Sequence, residues 1–319
     1  MSNNRQQSDA TIAAVAGASL LLTTLEVARR LFRRSQVFLP EREPLRSWSP
    51  SDYGISSAAV EDIFIETHDG ERLHAWYCRS DEPVGSMLYC HGSRGNITTT
   101  ADVIPHMLAS GINVLLFDYR GYGKSSGFPT TRGLILDGLA AADLHEKIRP
   151  ADLPSVAYGY SLGGPIAADV ARRVGFDGMI LQSTFTNLSD AARVMFPKIP
   201  LHYIAGNPYN TLRAIASLAI PLLIVHGEAD DVCPPWMAES LFRNCSERKE
   251  LLLVPGASHC DVYSIAPDLV SETIRGFITR LPPSQRDGNG RVHEVSHYDR
   301  LFRALRLFTR RFSDPDPLS

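Results

Sequence analysis

Ala157-Tyr158-Gly159-Tyr160-Ser161-Leu162-Gly163-Gly164 is the stretch on which the reading of this chain turns. A β-rich run, Ser155 to Tyr158, enters it, and a helical pattern, Leu162 to Val174, leaves it. Between them stands G-x-S-x-G. A serine hydroxyl is a weak nucleophile until a base takes its proton. In a strand–turn–helix context this motif holds the serine on a tight turn, with its hydroxyl exposed above a sheet. Gly159 and Gly163 suit such a turn because side chains there would meet closely packed backbone. The helix that follows also aims the positive end of its dipole at charge developing on a substrate.

A nucleophile of this kind calls for an acid and then a histidine further along the chain. Leu222-Leu223-Ile224-Val225-His226-Gly227-Glu228-Ala229-Asp230-Asp231-Val232 is a buried-strand pattern ending in an acidic loop. Asp230 is the expected acid and Asp231 its rival; either is also placed to cap a helix starting near Pro235. Leu253-Val254-Pro255-Gly256-Ala257-Ser258-His259 then sets His259 after the last expected strand, as the base. Upstream, His91-Gly92-Ser93-Arg94-Gly95-Asn96 follows the strand Met87 to Cys90. The loop after that strand and the residue after the nucleophile supply the amides of an oxyanion hole, here Ser93 and Leu162. His91 is read as shaping the loop.

The remaining runs extend the same pattern. Strands are expected over Ile63 to Thr67 and Leu73 to Cys78, around a turn at His68 to Gly70, and at Val114 to Phe117 and Met179 to Leu181. Helical periodicity is clearest over Thr131 to Ile148, Met237 to Asn244 and Leu269 to Leu281. Strands alternating with helices imply an α/β fold, a mostly parallel sheet covered on both faces. Asp118-Tyr119-Arg120-Gly121-Tyr122-Gly123-Lys124-Ser125 lacks the G-x-x-x-x-G-K-[ST] spacing of a nucleotide-binding loop. Asp118 and Arg120 are expected to brace the oxyanion loop instead.

Taken in order, the motifs at Cys90 to Asn96, Asp118 to Gly123, Gly159 to Gly163, His226 to Val232 and Gly256 to His259 resemble those of the α/β-hydrolase-domain serine hydrolases. The branch they look most like contains the bud-emergence-type and protein-depalmitoylating hydrolases. The resemblance covers Ile63 to Leu281. It implies an α/β-hydrolase fold with an eight-stranded sheet and a short lid insertion, and a Ser-Asp-His hydrolase without a cofactor. Arg94 departs from the small residue usual in that branch. The N-terminus also lacks the cysteine cluster that carries palmitate in the depalmitoylating members.

Composition frames the setting. The chain has 319 residues and a net charge of -3. It shows no basic footprint, so no nucleic-acid partner is expected. Its five cysteines, Cys78, Cys90, Cys233, Cys245 and Cys260, form no C-x-x-C pair and fit free thiols in a reducing, intracellular compartment rather than a metal site. Cys260 follows the expected base and Cys233 the acid loop; both read as buried small apolar residues, or, if exposed and of low pKa, as oxidation-sensitive positions. Residues 54–283 read as one catalytic domain. Residues 1–53 hold an apolar segment, Ala10 to Leu25, followed by Arg29, Arg30, Arg33 and Arg34. That segment is either a membrane anchor, which would leave the catalytic domain in the cytosol, or a helix packed on the body. Residues 284–319 hold a basic amphipathic pattern, Tyr298 to Phe312, suited to docking on the body or to an anionic membrane surface.

Thr184 to Leu218 is the expected cover of the site. Phe185, Met195, Phe196, Ile199, Tyr203 and Tyr209 either line an acyl pocket or pack the cover's own core. The expected substrate is a small acyl ester, a lipid-like ester or an acylated protein. The alternative is a serine aminopeptidase acting on peptides, with Glu228 or Asp231 as anchor for the substrate amine.

Overall fold

The computed structural model describes residues 15–282, apart from 16, 21, 30, 32, 200–201, 203–205 and 246–247. Eight strands form one sheet: β1 Val60–Glu66, β2 Arg72–Cys78, β3 Gly85–Cys90, β4 Ile112–Phe117, β5 Ser155–Tyr160, β6 Gly178–Gln182, β7 Leu222–Gly227 and β8 Lys249–Val254. Their spatial order is β8-β7-β6-β5-β3-β4-β2-β1. Only β2 runs against its neighbours, pairing antiparallel with β1 and β4. All other pairings are parallel.

The helices that fix the architecture are α1 Ile104–Ala109, α2 Thr131–Ile148, α3 Gly163–Ala171, α4 Leu188–Met195, α5 Thr211–Ile215, α6 Pro235–Asn244 and α7 Pro267–Thr279. Side chains alternate across a strand, so the central strands feed two cores. Leu88, Cys90, Ala157, Leu181 and Ile224 pack with α2, α3 and α6 on one face. Met87, Tyr89, Val156, Ile180 and Val225 pack with α1 and α7 on the other. Both faces being covered is why these strands read as nearly continuous apolar runs. The α2 helix starts where the Thr130 side chain accepts the Gly133 amide at 2.9 Å, a hydroxyl cap satisfying one of the amides the first turn leaves open.

The parallel strands end together, and the functional loops leave from that edge. The cover between β6 and β7 holds α4 and α5, capped by Asn187 and Asn210. Phe185 and Tyr209 are buried in the core beside α2 and α3, whereas Met195 and Ile199 are exposed. Those two aromatics therefore anchor the cover to the body rather than line an acyl pocket. Tyr203 lies outside the described residues.

Chain N-terminal to β1 does more than link. Val37 and Phe38 are buried in the core, and Leu39–Pro40 pairs in parallel with Arg94–Gly95. The Leu39 amide donates to Ser93 O at 2.9 Å, and the Glu41 amide to Gly95 O at 3.0 Å. Asn96 Nδ2 returns a bond to Glu43 O at 2.7 Å. The expected boundary at residue 53 thus falls inside a strap that packs on the body. Before the strap, residues 17–20 and 22–29 are helical. Val15, Leu20, Leu22, Val27 and Leu31 there are each at least 50% exposed, so they are not docked in the core. Among the described residues no helix is long and apolar enough to cross a membrane. The basic pattern Tyr298 to Phe312 lies outside the described residues.

Candidate active site

Ser161 follows β5 directly, with φ at +51°. That left-handed backbone is costly for a side chain bearing a Cβ and persists only where surrounding contacts hold it. Here the Ser161 amide donates to Gln182 O at 3.0 Å, and Thr184 Oγ1 donates to Ser161 O at 2.7 Å. The turn also needs its glycines. A Cβ on Gly163 would stand 1.9 Å from Cys90 O, and one on Gly159 2.5 Å from the Gly164 Cα.

The hydroxyl so presented meets an imidazole. His259 Nε2 lies 3.1 Å from Ser161 Oγ, and His259 Nδ1 lies 2.9 Å from Asp230 Oδ2. Three residues separated by 69 and 29 positions converge because β5, β7 and β8 end at one edge. Asp230 is buried while Asp231 is exposed, so Asp230 is the residue that reaches the imidazole. Its other oxygen accepts the Val232 and Cys233 amides at 3.0 and 2.7 Å, which turns the carboxylate inward. Neither acid caps α6, which begins without a side-chain cap. Burial pushes the Asp230 pKa up. Hydrogen bonds from His226, His259 and the Cys233 amide outweigh that, and the carboxyl stays well below the usual range.

His226 is a contact that the sequence pattern did not single out. Its Nε2 lies 3.3 Å from Asp230 Oδ2 and 2.6 Å from Cys233 O. Nδ1 of the same ring is buried without a hydrogen-bond partner. The ring therefore ties the acid loop together, through Cys233 O and the same Asp230 oxygen that His259 approaches. Its position four residues before Asp230, at the end of a strand, was the available signal.

The loop after β3 is braced from below. His91 is buried, with Nδ1 donating to Gly92 O at 2.8 Å, and burial pulls its pKa down. It shapes the loop as expected. Asp118 Oδ1 accepts the Ile97 amide at 2.7 Å, and Tyr122 Oη donates to Ser93 O at 2.9 Å. Arg120 does not reach this loop. Its guanidinium bridges Asp69 at 2.8 Å and Asp137 at 2.7 Å, joining the β1–β2 turn to α2. The correction has a plain cause: Arg120 lies two residues past Asp118, where the chain already turns toward α2. Ser93 is half-buried, and Leu162 opens α3 directly after the nucleophile. Arg94 points to solvent beside the strap.

Cys260 is exposed and accepts the Tyr160 hydroxyl at 3.3 Å. Cys233 is buried, and desolvation drives its thiol pKa well up. It packs as a small apolar residue, and a thiol that does not ionise is a poor target for oxidation. Glu228 and Asp231 are both exposed. Among the described residues no group of His, Cys, Asp and Glu is arranged to hold a metal ion.

Comparison with known proteins supports the fold. Residues 81–213 match the family described as serine aminopeptidase, S33. An uncharacterized protein of Mycobacterium tuberculosis is 32% identical over 250 residues, 77% of this chain and 87% of that one. The alpha/beta hydrolase domain-containing protein WAV2 of Arabidopsis thaliana is 27% identical over 298 residues, 85% of this chain and 93% of its own. An esterase of Pyrococcus furiosus superposes with a TM-score of 0.64 at 21% identity, covering 77% of this chain and 98% of that chain. With its sheet order, elbow and matched relatives, the chain belongs to the alpha/beta hydrolase family.

Proposed function

We propose that the protein is a serine hydrolase that cleaves a carboxylic ester or an acyl-thioester. The observation that carries this reading is the unbroken chain from Ser161 Oγ through His259 to Asp230, at 3.1 and 2.9 Å. Ser161 Oγ attacks the substrate carbonyl while His259 Nε2 takes its proton. Asp230 keeps Nδ1 protonated and stabilises the imidazolium. The amides of Leu162 and Ser93 receive the oxyanion, each worth about 3 kcal/mol in the transition state. His259 returns the proton to the leaving alkoxide or thiolate, and an acyl-Ser161 ester remains. Water, deprotonated by His259, then releases the acid and restores Ser161.

An aminopeptidase needs a carboxylate inside its pocket for the substrate amine, and the two nearest candidates, Glu228 and Asp231, face solvent. A panel of p-nitrophenyl esters of graded chain length, acyl-thioesters and aminoacyl amides tests the choice, with Ser161→Ala as control. Ester or thioester turnover abolished in Ser161→Ala supports the reading. Turnover of aminoacyl amides alone moves the assignment to the aminopeptidase class.

The same proposal places the enzyme at a membrane surface through its N-terminal helix. Exposed Val15, Leu20, Leu22 and Val27 precede the arginine run and exposed Leu31 lies within it, an arrangement that suits interfacial attachment with the body on the cytosolic side. A fusion lacking residues 1–35 is expected in the soluble fraction; retention on membranes excludes this attachment.

A further inference from the structure

A cleft of about 990 Å3 runs between α2, α3 and α5, behind the cover and away from the Ser161 hydroxyl. Four arginines line it: Arg132 from α2, Arg172 and Arg173 from the end of α3, and Arg213 from α5. Asp169 is the one carboxylate among its walls, and both Arg172 and Arg173 already reach it, at 2.7 and 2.8 Å. Arg132 and Arg213 make no ion pair with a described residue and are exposed. Arg172 and Arg173 thus share one carboxylate, and Arg132 and Arg213 add two further positive charges to the same concavity, on a chain whose net charge is -3.

Like charges gathered in a concave wall repel one another and focus a positive potential outward. A guanidinium presents paired donors that match phosphate oxygens in a bidentate way. The floor is of another kind: half-buried Ile135 and Leu136 give it an apolar surface. Tyr209 Oη donates to Thr131 O at 3.2 Å, tying the cover to α2 across the cleft. We propose that this cleft binds a phosphate-bearing organic anion, with the phosphates among the arginines and the organic part on the apolar floor. Two phosphate groups balance the charge better than one. The site is separate from the triad, so it stands whether or not the ester reading holds.

The test is calorimetric titration of the full chain, with three probes that separate the sources of such an anion. These are inorganic pyrophosphate, adenosine diphosphate, and phosphatidylcholine vesicles carrying phosphatidic acid. The double variant Arg132→Gln, Arg213→Gln is expected to weaken binding at least about tenfold, as loss of charge-assisted hydrogen bonds does. Arg243→Gln, on α6 outside the cleft, should leave it unchanged, and thermal midpoints without ligand confirm that each variant is folded. Adenosine diphosphate binding more tightly than pyrophosphate supports a soluble ligand that uses the floor. Binding to the vesicles alone, lost in the double variant, supports the same chemistry on a lipid headgroup. No binding at millimolar concentrations, or binding that the double variant leaves intact, overturns the proposal.

Discussion

His226 Nε2 lies 3.3 Å from Asp230 Oδ2, on the same oxygen that His259 Nδ1 approaches to 2.9 Å. Asp230, the acid of the proposed triad, is thus approached by two imidazoles, of which only His259 also reaches Ser161 Oγ. His226→Leu removes a donor from the carboxylate and leaves Cys233 O unsatisfied. One such loss is worth roughly 1–3 kcal/mol, so kcat/KM is expected to fall about tenfold or more. A variant that loses stability while keeping kcat/KM would mean that His226 only packs.

Asp230 and Asp231 are neighbours with opposite surroundings, one buried and one exposed. Asp230→Asn is expected to lower kcat by about four orders of magnitude, as loss of the orienting acid does in a triad. Asp231→Asn should leave kcat within about twofold, the usual range for a surface substitution away from such features. Equal losses in the two variants would contradict the assignment of the acid.

At Gly163 the backbone leaves no room for a side chain, since a Cβ would fall 1.9 Å from Cys90 O. Gly163→Ala should therefore cost about 3 kcal/mol, the upper range for forcing extra volume into packed structure. Urea unfolding measures it. Because Gly256 has nothing within 4 Å of its Cβ position but a φ of +72°, Gly256→Ala should cost only about 1 kcal/mol.

The Arg120–Asp69 bridge gives a pH signature. A hydrogen bond from Arg120 is the largest influence on Asp69 and lowers its pKa to about 2. The folded value lies below the unfolded one, about 3.9. The folded state therefore gains from the ionised carboxylate above pH about 4 and loses that gain as pH falls toward about 2. Wild type should lose more stability than Asp69→Asn over that window. Parallel losses in the two proteins would show that the bridge contributes nothing.

Much of this arrangement was legible beforehand. The helix Thr131–Ile148 was readable from its apolar spacing, and the structure adds the Thr130 cap. The strands run longer than their apolar cores. Ladder bonds recruit polar ends such as Gly85 and Ser86 before Met87, and Lys249 and Glu250 before Leu251. Asp230 was favoured for its place past the strand end, and Asp231 stayed a rival because the choice depends on a turn closed by the Val232 and Cys233 amides. The strap was hidden for a different reason. Leu39 has no periodic partner nearby, and its pairing is with Arg94, far along the chain. The arginine cleft likewise draws on three helices that no local pattern connects.

The reactive serine is the central claim, and a fluorophosphonate probe tests it most directly. The probe should phosphonylate the wild-type protein once, and peptide mapping should place the adduct on Ser161. Ser161→Ala should not be labelled, and His259→Ala only weakly. Labelling of Ser161→Ala equal to that of wild type would contradict the account.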